Sequence, residues 1–202
     1  MKKILIIAVV LFSSVMIAQR GKILSGDISK LKEITEYNLT FDYSNLNVDR
    51  VSEEQFLIDK MKKRQGNGKD IAFKNNWIND RENRYEPKFI ESFVKRFKDG
   101  KVKASKNLST AKYTMDIKTT WIHPGFNVVI MHNSSLIKTI VTVFETSNPE
   151  NKLVSIEYDR VPGKGKFAGP LGFLDYNSGY RISEAYAKLA KIVAVNIKNG
   201  RV

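Results

Sequence analysis

The sequence predicts an α+β domain: an antiparallel or mixed sheet of four to five strands with two or three helices packed on one face. Three observations carry this. Runs rich in β-branched and aromatic residues at Tyr113–Trp121, Leu136–Thr146 and Leu153–Val161 are separated by His-Pro-Gly, Asn-Ser-Ser and Asn-Pro-Glu-Asn breakers, the pattern of consecutive strands. Tyr37, Leu39, Phe41 and Tyr43 alternate with polar residues, as on a half-buried strand. Two stripes, Phe89–Ile90–Phe93–Val94–Phe97 and Ile182–Ala185–Tyr186–Leu189–Ile192–Val193–Ile197, follow the three-four spacing of buried helix faces.

In chain order, residues 1–18 carry Lys2 and Lys3, an apolar core from Ile4 to Phe12, and a small-residue ending at Ala18, the tripartite order of a secretory signal peptide. The apolar core alone is too short to span a bilayer. Residues 19–35, with few large apolar side chains, are expected to form a loosely held lead-in, and residues 36–202 a single domain. Ser52 with Gln55 three residues on is a capping-box candidate opening a helix that stops by Gly66. Residues 70–86 suggest a short helix burying Phe73 and Trp77, and Pro87 a second helix start, ended at Asp99-Gly100. A short edge strand is expected at Val102–Ala104. In the three central strands Tyr113, Met115, Ile117 and Val154, Ile156, Tyr158 point inward, whereas the strand from Ile137 is apolar at both parities and is expected to be covered on both faces. The closing helix stops at Asn199-Gly200.

Composition narrows the function. There is no cysteine, hence no disulfide framework and no site for the acyl anchor of an envelope lipoprotein, so the expected location is the periplasm or the exterior. Lysine plus arginine number 34 against 21 acids, a net charge of +13 that becomes +11 once Lys2 and Lys3 leave with the signal. Basic residues recur in nearly every segment, so weak polyanion attraction is expected rather than specific nucleic-acid binding. Neither Gly-x-Ser-x-Gly nor a cysteine nucleophile is present. Gly163-Lys164-Gly165-Lys166 resembles a phosphate loop only in composition, since Phe167 follows where Ser or Thr is needed and Pro170 removes an amide donor. That glycine-rich segment instead offers Lys164, Lys166, Phe167, Leu171 and Phe173 as candidate partner-binding residues. His123 and His132 could meet at the base of a hairpin, and with Asp116 or Asp159 would make an acid–base pair for a hydrolase; the Pro124-Gly125 that follows His123 favours an ordinary turn. The dense charges at Asp80–Glu86 read as a solvated loop. Tyr37, Phe41, Tyr43, Trp77 and Trp121 could stack bases or sugars, but their spacing favours core positions. No metal or cofactor is expected.

In element order the chain resembles the amino-terminal domain of TolB and related envelope-lipoprotein domains. The resemblance is carried by Phe93–Gly100, by the Ala111-Lys112-Tyr113 strand start, by the turn-linked strands Ile137–Asp159 and by the closing helix Ile182–Ile197, and the ending Ile17-Ala18-Gln19 resembles exported proteins of the Bacteroidetes. It implies an accessory or interaction domain and no enzyme; the missing catalytic constellation and the glycine-rich apolar segment before the last helix point to a non-catalytic envelope module with an envelope protein or glycan as partner. The chain departs from the lipoproteins in lacking the acylated cysteine, and from TolB in lacking its propeller.

Overall fold

Strand β6 (Tyr113–His123) and strand β9 (Ser135–Glu145) form the centre of the architecture, paired antiparallel along nearly their whole length. The computed structural model describes residues 21–97, 100–128, 131–163 and 178–202. On one side of β9 lies β10 (Asn148–Gly163), then β1 (Lys22–Gly26), both antiparallel. On the other side of β6, β2 (Glu36–Asp42) runs parallel and is followed outward by β5 (Lys103–Ser105), also parallel. Strand β3 (Asn47–Val48) continues alongside β6 and pairs with β4 (Val51–Ser52). The mixed sheet therefore has eight strands rather than four to five. The additional ones are short or peripheral, and neither β3 nor β4 is long enough to show a period of two. The hairpin of β7 (Phe126–Val128) and β8 (Met131–Asn133) makes a separate two-stranded sheet. Part of the segment read as a lead-in is built into the fold: Ile28 and Leu31, on a single 3-10 turn, are each 2% exposed.

Helix α1 (Glu53–Lys62) begins where Ser52 Oγ accepts the Gln55 amide at 3.2 Å. The box is only half closed, because the Gln55 side chain donates to Asp59 instead. Helix α2 (Lys69–Asp80) passes through a π-turn at Arg81–Tyr85 directly into α3 (Glu86–Val94), which carries Pro87 in its first turn, as expected, but follows no loop. The π-turn explains how proline is tolerated: Glu86 donates to the Arg81 carbonyl five residues back, so the wider turn accommodates a ring that lacks an amide and would crowd the preceding turn. Helix α4 (Ser178–Asn199) closes the chain, with Gly200 at φ +63° taking the left-handed conformation after its last turn.

The inward face is fixed by contacts from three elements. Tyr37 and Phe41 of β2 meet Phe93 and Phe89 of α3 edge-on at 5.8 and 5.7 Å. Tyr186 of α4 shares a hydrogen bond with Thr119 of β6 at 2.5 Å, and Asn196 donates to the Tyr158 hydroxyl of β10 at 3.1 Å. Alternate residues of β9, among them Ile137, Thr139, Val141 and Val143, are buried against these helices. Each large apolar side chain so buried contributes about 1.5–3 kcal/mol. The opposite parity of β9 is only half-buried, so its second face is not covered as the sequence suggested. Ile140 stands between Lys118 and Glu157 of the flanking strands, and Phe144 between Thr114 and Lys152. Long neighbouring side chains shelter these apolar residues without a second layer.

The helix-facing side can approach the sheet closely because Gly163 lacks a side chain. A Cβ there would lie 2.6 Å from the Ala185 amide and collide with the Arg181 carbonyl. Gly163→Ala is expected to lower stability by about 1–3 kcal/mol, the usual scale of overpacking, measured by urea denaturation; an unchanged midpoint would contradict this contact. Burial also raises the phenol pKa of Tyr37, Tyr43, Tyr85 and Tyr186, and pushes Tyr158 up to about 12. Folded values above the unfolded one mean stability that is full below about pH 10 and is lost as pH rises past it. In an alkaline titration these five of the eight tyrosines are expected to ionise together with unfolding, read as simultaneous phenolate absorbance and loss of circular dichroism.

Candidate functional site

The site is built on the α1–α2 hairpin, and a single carboxylate holds that hairpin in place. The Glu53 amide donates to the Leu46 carbonyl at 2.9 Å, while its side chain accepts from Trp77 Nε1 at 2.5 Å and from Arg81 at 2.5 Å. Phe56 then packs on Trp77 with ring centroids 4.8 Å apart and on Phe73 at 6.2 Å. The end of α1 and the turn after it place cations over these rings: Lys60 Nζ is 5.3 Å from the Phe56 centroid and the Arg64 guanidinium 4.4 Å from that of Phe73. Arg64 is further oriented by a bond from Nη1 to the Lys60 carbonyl at 3.1 Å.

Opposite this wall stand the Pro124–Phe126 turn and the start of α4. Gly125, at φ +66°, lets the turn close against Ser134 and Ser135, whose backbone a Cβ would meet at 2.8 Å. The Pro124 carbonyl accepts from Ser135 Oγ at 2.5 Å and from Arg181 Nη2 at 3.1 Å, and Arg181 is only 5% exposed. Between the walls lies a cleft with two lobes of about 260 and 490 Å³, both bordered by Arg64, Phe73 and Trp77. Lys60, Arg181 and Asp49 border the smaller lobe, whereas the larger reaches Asp80 and Arg84, which pair at 2.9 Å. Burial raises the Asp80 carboxyl pKa, and Arg84 opposes that rise.

His123 sits behind the turn. Its Nδ1 pairs with Asp49 and its Nε2 faces the Asn133 amide nitrogen at 3.2 Å, so both ring nitrogens are engaged. Its partner is thus neither Asp116 nor Asp159. Asp116 lies on the sheet face away from the helices, where it accepts from Thr40 at 2.6 Å and its pKa is raised by burial and by Asp42; Asp159 is exposed. His132 is in register with Asn127 across the hairpin, and its side chain is not among the described ones. Lys164, Lys166, Phe167, Leu171 and Phe173 all lie outside the described residues.

The charges at Asp80–Glu86 are not a solvated loop but a helical turn, and Glu86 is buried against Lys106 at 2.5 Å. Tyr37, Phe41, Tyr43 and Trp77 belong to or pack on the core, as their spacing suggested, while Trp121 donates to the Asp49 carbonyl at 2.7 Å and stacks near His123. Sequence reasoning missed Phe56, Lys60, Arg64 and Arg181 as a group. The steps of four from Phe56 to Lys60 to Arg64, matched by Phe73 to Trp77, were available as a signal; nothing marked Arg181.

The chain matches no family model and no curated protein sequence. Among the described residues no helix is long and apolar enough to cross a membrane, and no three His, Asp or Glu side chains gather as a metal site would need. The double engagement of His123 makes it a fastener of the Asp49 turn to the β7–β8 hairpin. His123→Ala is expected to cost about 1–2 kcal/mol through two orphaned partners, with Asn at this position recovering part of the loss because its amide can still donate to Asp49. Equal destabilisation by both, or none by either, would contradict that role.

Proposed function

We propose that the protein is a non-catalytic, exported accessory protein of the cell envelope, periplasmic or secreted, that acts by binding. The observation that carries this reading is the cleft itself: cations stacked on aromatic rings face it, while the one described imidazole has both nitrogens committed elsewhere. A general base needs a free ring nitrogen within reach of substrate. The resemblance in element order to the TolB amino-terminal domain is in keeping with an accessory module whose partner is an envelope protein or glycan.

Two other readings have particular support. The His123–Asp49 pair is the arrangement a hydrolase would use if Asn133 swung away. Six basic residues, from Lys60 to Lys74, surround the tip of the α1–α2 hairpin against one acid, Asp70, which concentrates charge more than the sequence suggested and favours polyanion attraction.

Cell fractionation of the native host, with crosslinking, separates these. The expected result is a processed protein beginning at Gln19, recovered from the envelope or medium, whose crosslinked partner is lost in Arg64→Glu and retained in His123→Ala. Ester or phosphate hydrolysis abolished by His123→Ala would favour the enzyme. On heparin, elution at modest salt is expected, since exposed charges are screened over about 8 Å at physiological ionic strength; retention at high salt would favour a dedicated polyanion site.

A further inference from the structure

We infer that the two-lobed cleft is a binding site for a small organic anion that carries a flat or apolar ring beside its carboxylate or phosphate. The inference rests on reading the protein as a binding module and names the ligand class of that same cleft.

Charge assigns the anion to the smaller lobe. Lys60, Arg64 and Arg181 all border it, and among the described residues its one carboxylate is that of Asp49, which is already engaged by His123. Arg181, nearly fully buried, is fixed at the border of this lobe by a bond from Nη2 to the Pro124 carbonyl. Oxyanion ligands match the planar donor fork of a guanidinium. Arg64 is preorganised for the same task. Stacked on Phe73, with Nη1 bonded to the Lys60 carbonyl, it keeps further in-plane N–H donors and loses little rotamer freedom on binding.

The ring is assigned by what surrounds the anion position. Phe73 and Trp77 border both lobes, and Trp77 cannot act as a donor there because its only N–H is committed to Glu53. It offers a π surface alone. In the larger lobe the charges of Asp80 and Arg84 satisfy each other, leaving the Phe73 and Trp77 rings with the neutral side chains of Asn76 and Ser178 rather than a second anion site. The larger lobe, at about 490 Å³, is in the range of sites for small ligands.

The test is isothermal titration of the full secreted chain with 1-naphthyl phosphate and with 2-naphthoate, alongside inorganic phosphate and neutral 2-naphthol. Binding of either ring-bearing anion is expected, with inorganic phosphate and naphthol each about ten-fold weaker or more, equivalent to about 1.4 kcal/mol. The preferred probe of the two distinguishes a phosphate from a carboxylate ligand. Arg64→Met, at an exposed position that should leave folding intact, is expected to weaken binding about ten-fold, and Phe73→Leu to weaken the ring-bearing probes more than inorganic phosphate; Lys191→Met, exposed on α4, should change nothing. Absence of binding by both probes at millimolar concentration, equal affinity for inorganic phosphate, or an Arg64→Met protein that binds as before would each overturn the inference. Displacement of the probe by a heparin oligosaccharide at comparable molar affinity would overturn it in favour of a polyanion groove. The binding-module reading fails differently, by His123-dependent turnover, so the two failures cannot be confused.

Discussion

One carboxylate decides whether the candidate site exists. Glu53 occupies the first turn of α1, where the helix dipole favours negative charge, and it accepts from both Trp77 and Arg81 on the neighbouring helix. Its side chain is largely withdrawn from water, at 17% exposure against 19% for Arg81. Such a pair stabilises through its geometry, because removing one partner strands the other. Arg81 in turn lies 4.4 Å over the Tyr43 ring, so the same contact reaches the end of β2. Without it the Phe56–Phe73–Trp77 cluster would be an ordinary, weak helix–helix contact at the periphery. With it, Lys60 and Arg64 are placed over their rings and the cleft acquires a fixed wall.

The scaffold behind this wall follows from an imbalance between the two faces of the sheet. The inner face is apolar and takes α3 and α4, with Phe89, Phe93, Tyr186 and Leu189 completely buried. The outer face satisfies itself laterally: Lys118 bonds Asp42 at 2.6 Å, Lys138 pairs with Glu157 at 3.0 Å, and Thr142 meets Ser155 at 3.0 Å. A surface so paired gains little from a partner. The binding chemistry therefore collects at the end of the sheet, where the α1–α2 hairpin, the Pro124–Phe126 turn and α4 meet.

Long elements with a clear period were legible in the sequence. The stripe of α4, the Tyr37–Phe41 alternation and the inward residues of β6 and β10 all stand as their spacing implied, because each buries one face against a large apolar surface. What escaped was set by contacts distant in sequence or by backbone hydrogen bonding. Pro87 does mark the start of α3, but the π-turn that joins it to α2 without a loop has no side-chain signature. Glu86 reads as solvated because Lys106, its partner, is twenty residues away. The candidate site was the least legible part: it draws on α1, α2, the turn after β6 and α4, and the nearest sequence signal, the paired histidines, pointed to Asp116 and Asp159 rather than to Asp49. Half-buried Ile140 and Phe144 show the converse error, an apolar pattern taken for a covered face when neighbouring side chains sufficed.

The Glu53 contact thus holds the α1–α2 wall independently of the sheet core. Hydrogen exchange at individual amides, compared between the native protein and Glu53→Gln, tests it most directly. Amides of α1, together with the Trp77 indole N–H, are expected to lose protection by about ten-fold or more, as the loss of about 1.4 kcal/mol or more of local stability requires, while those of β9 and α4 keep theirs. Uniform loss of protection across β9 and α4, or an α1 as protected as before, would contradict it.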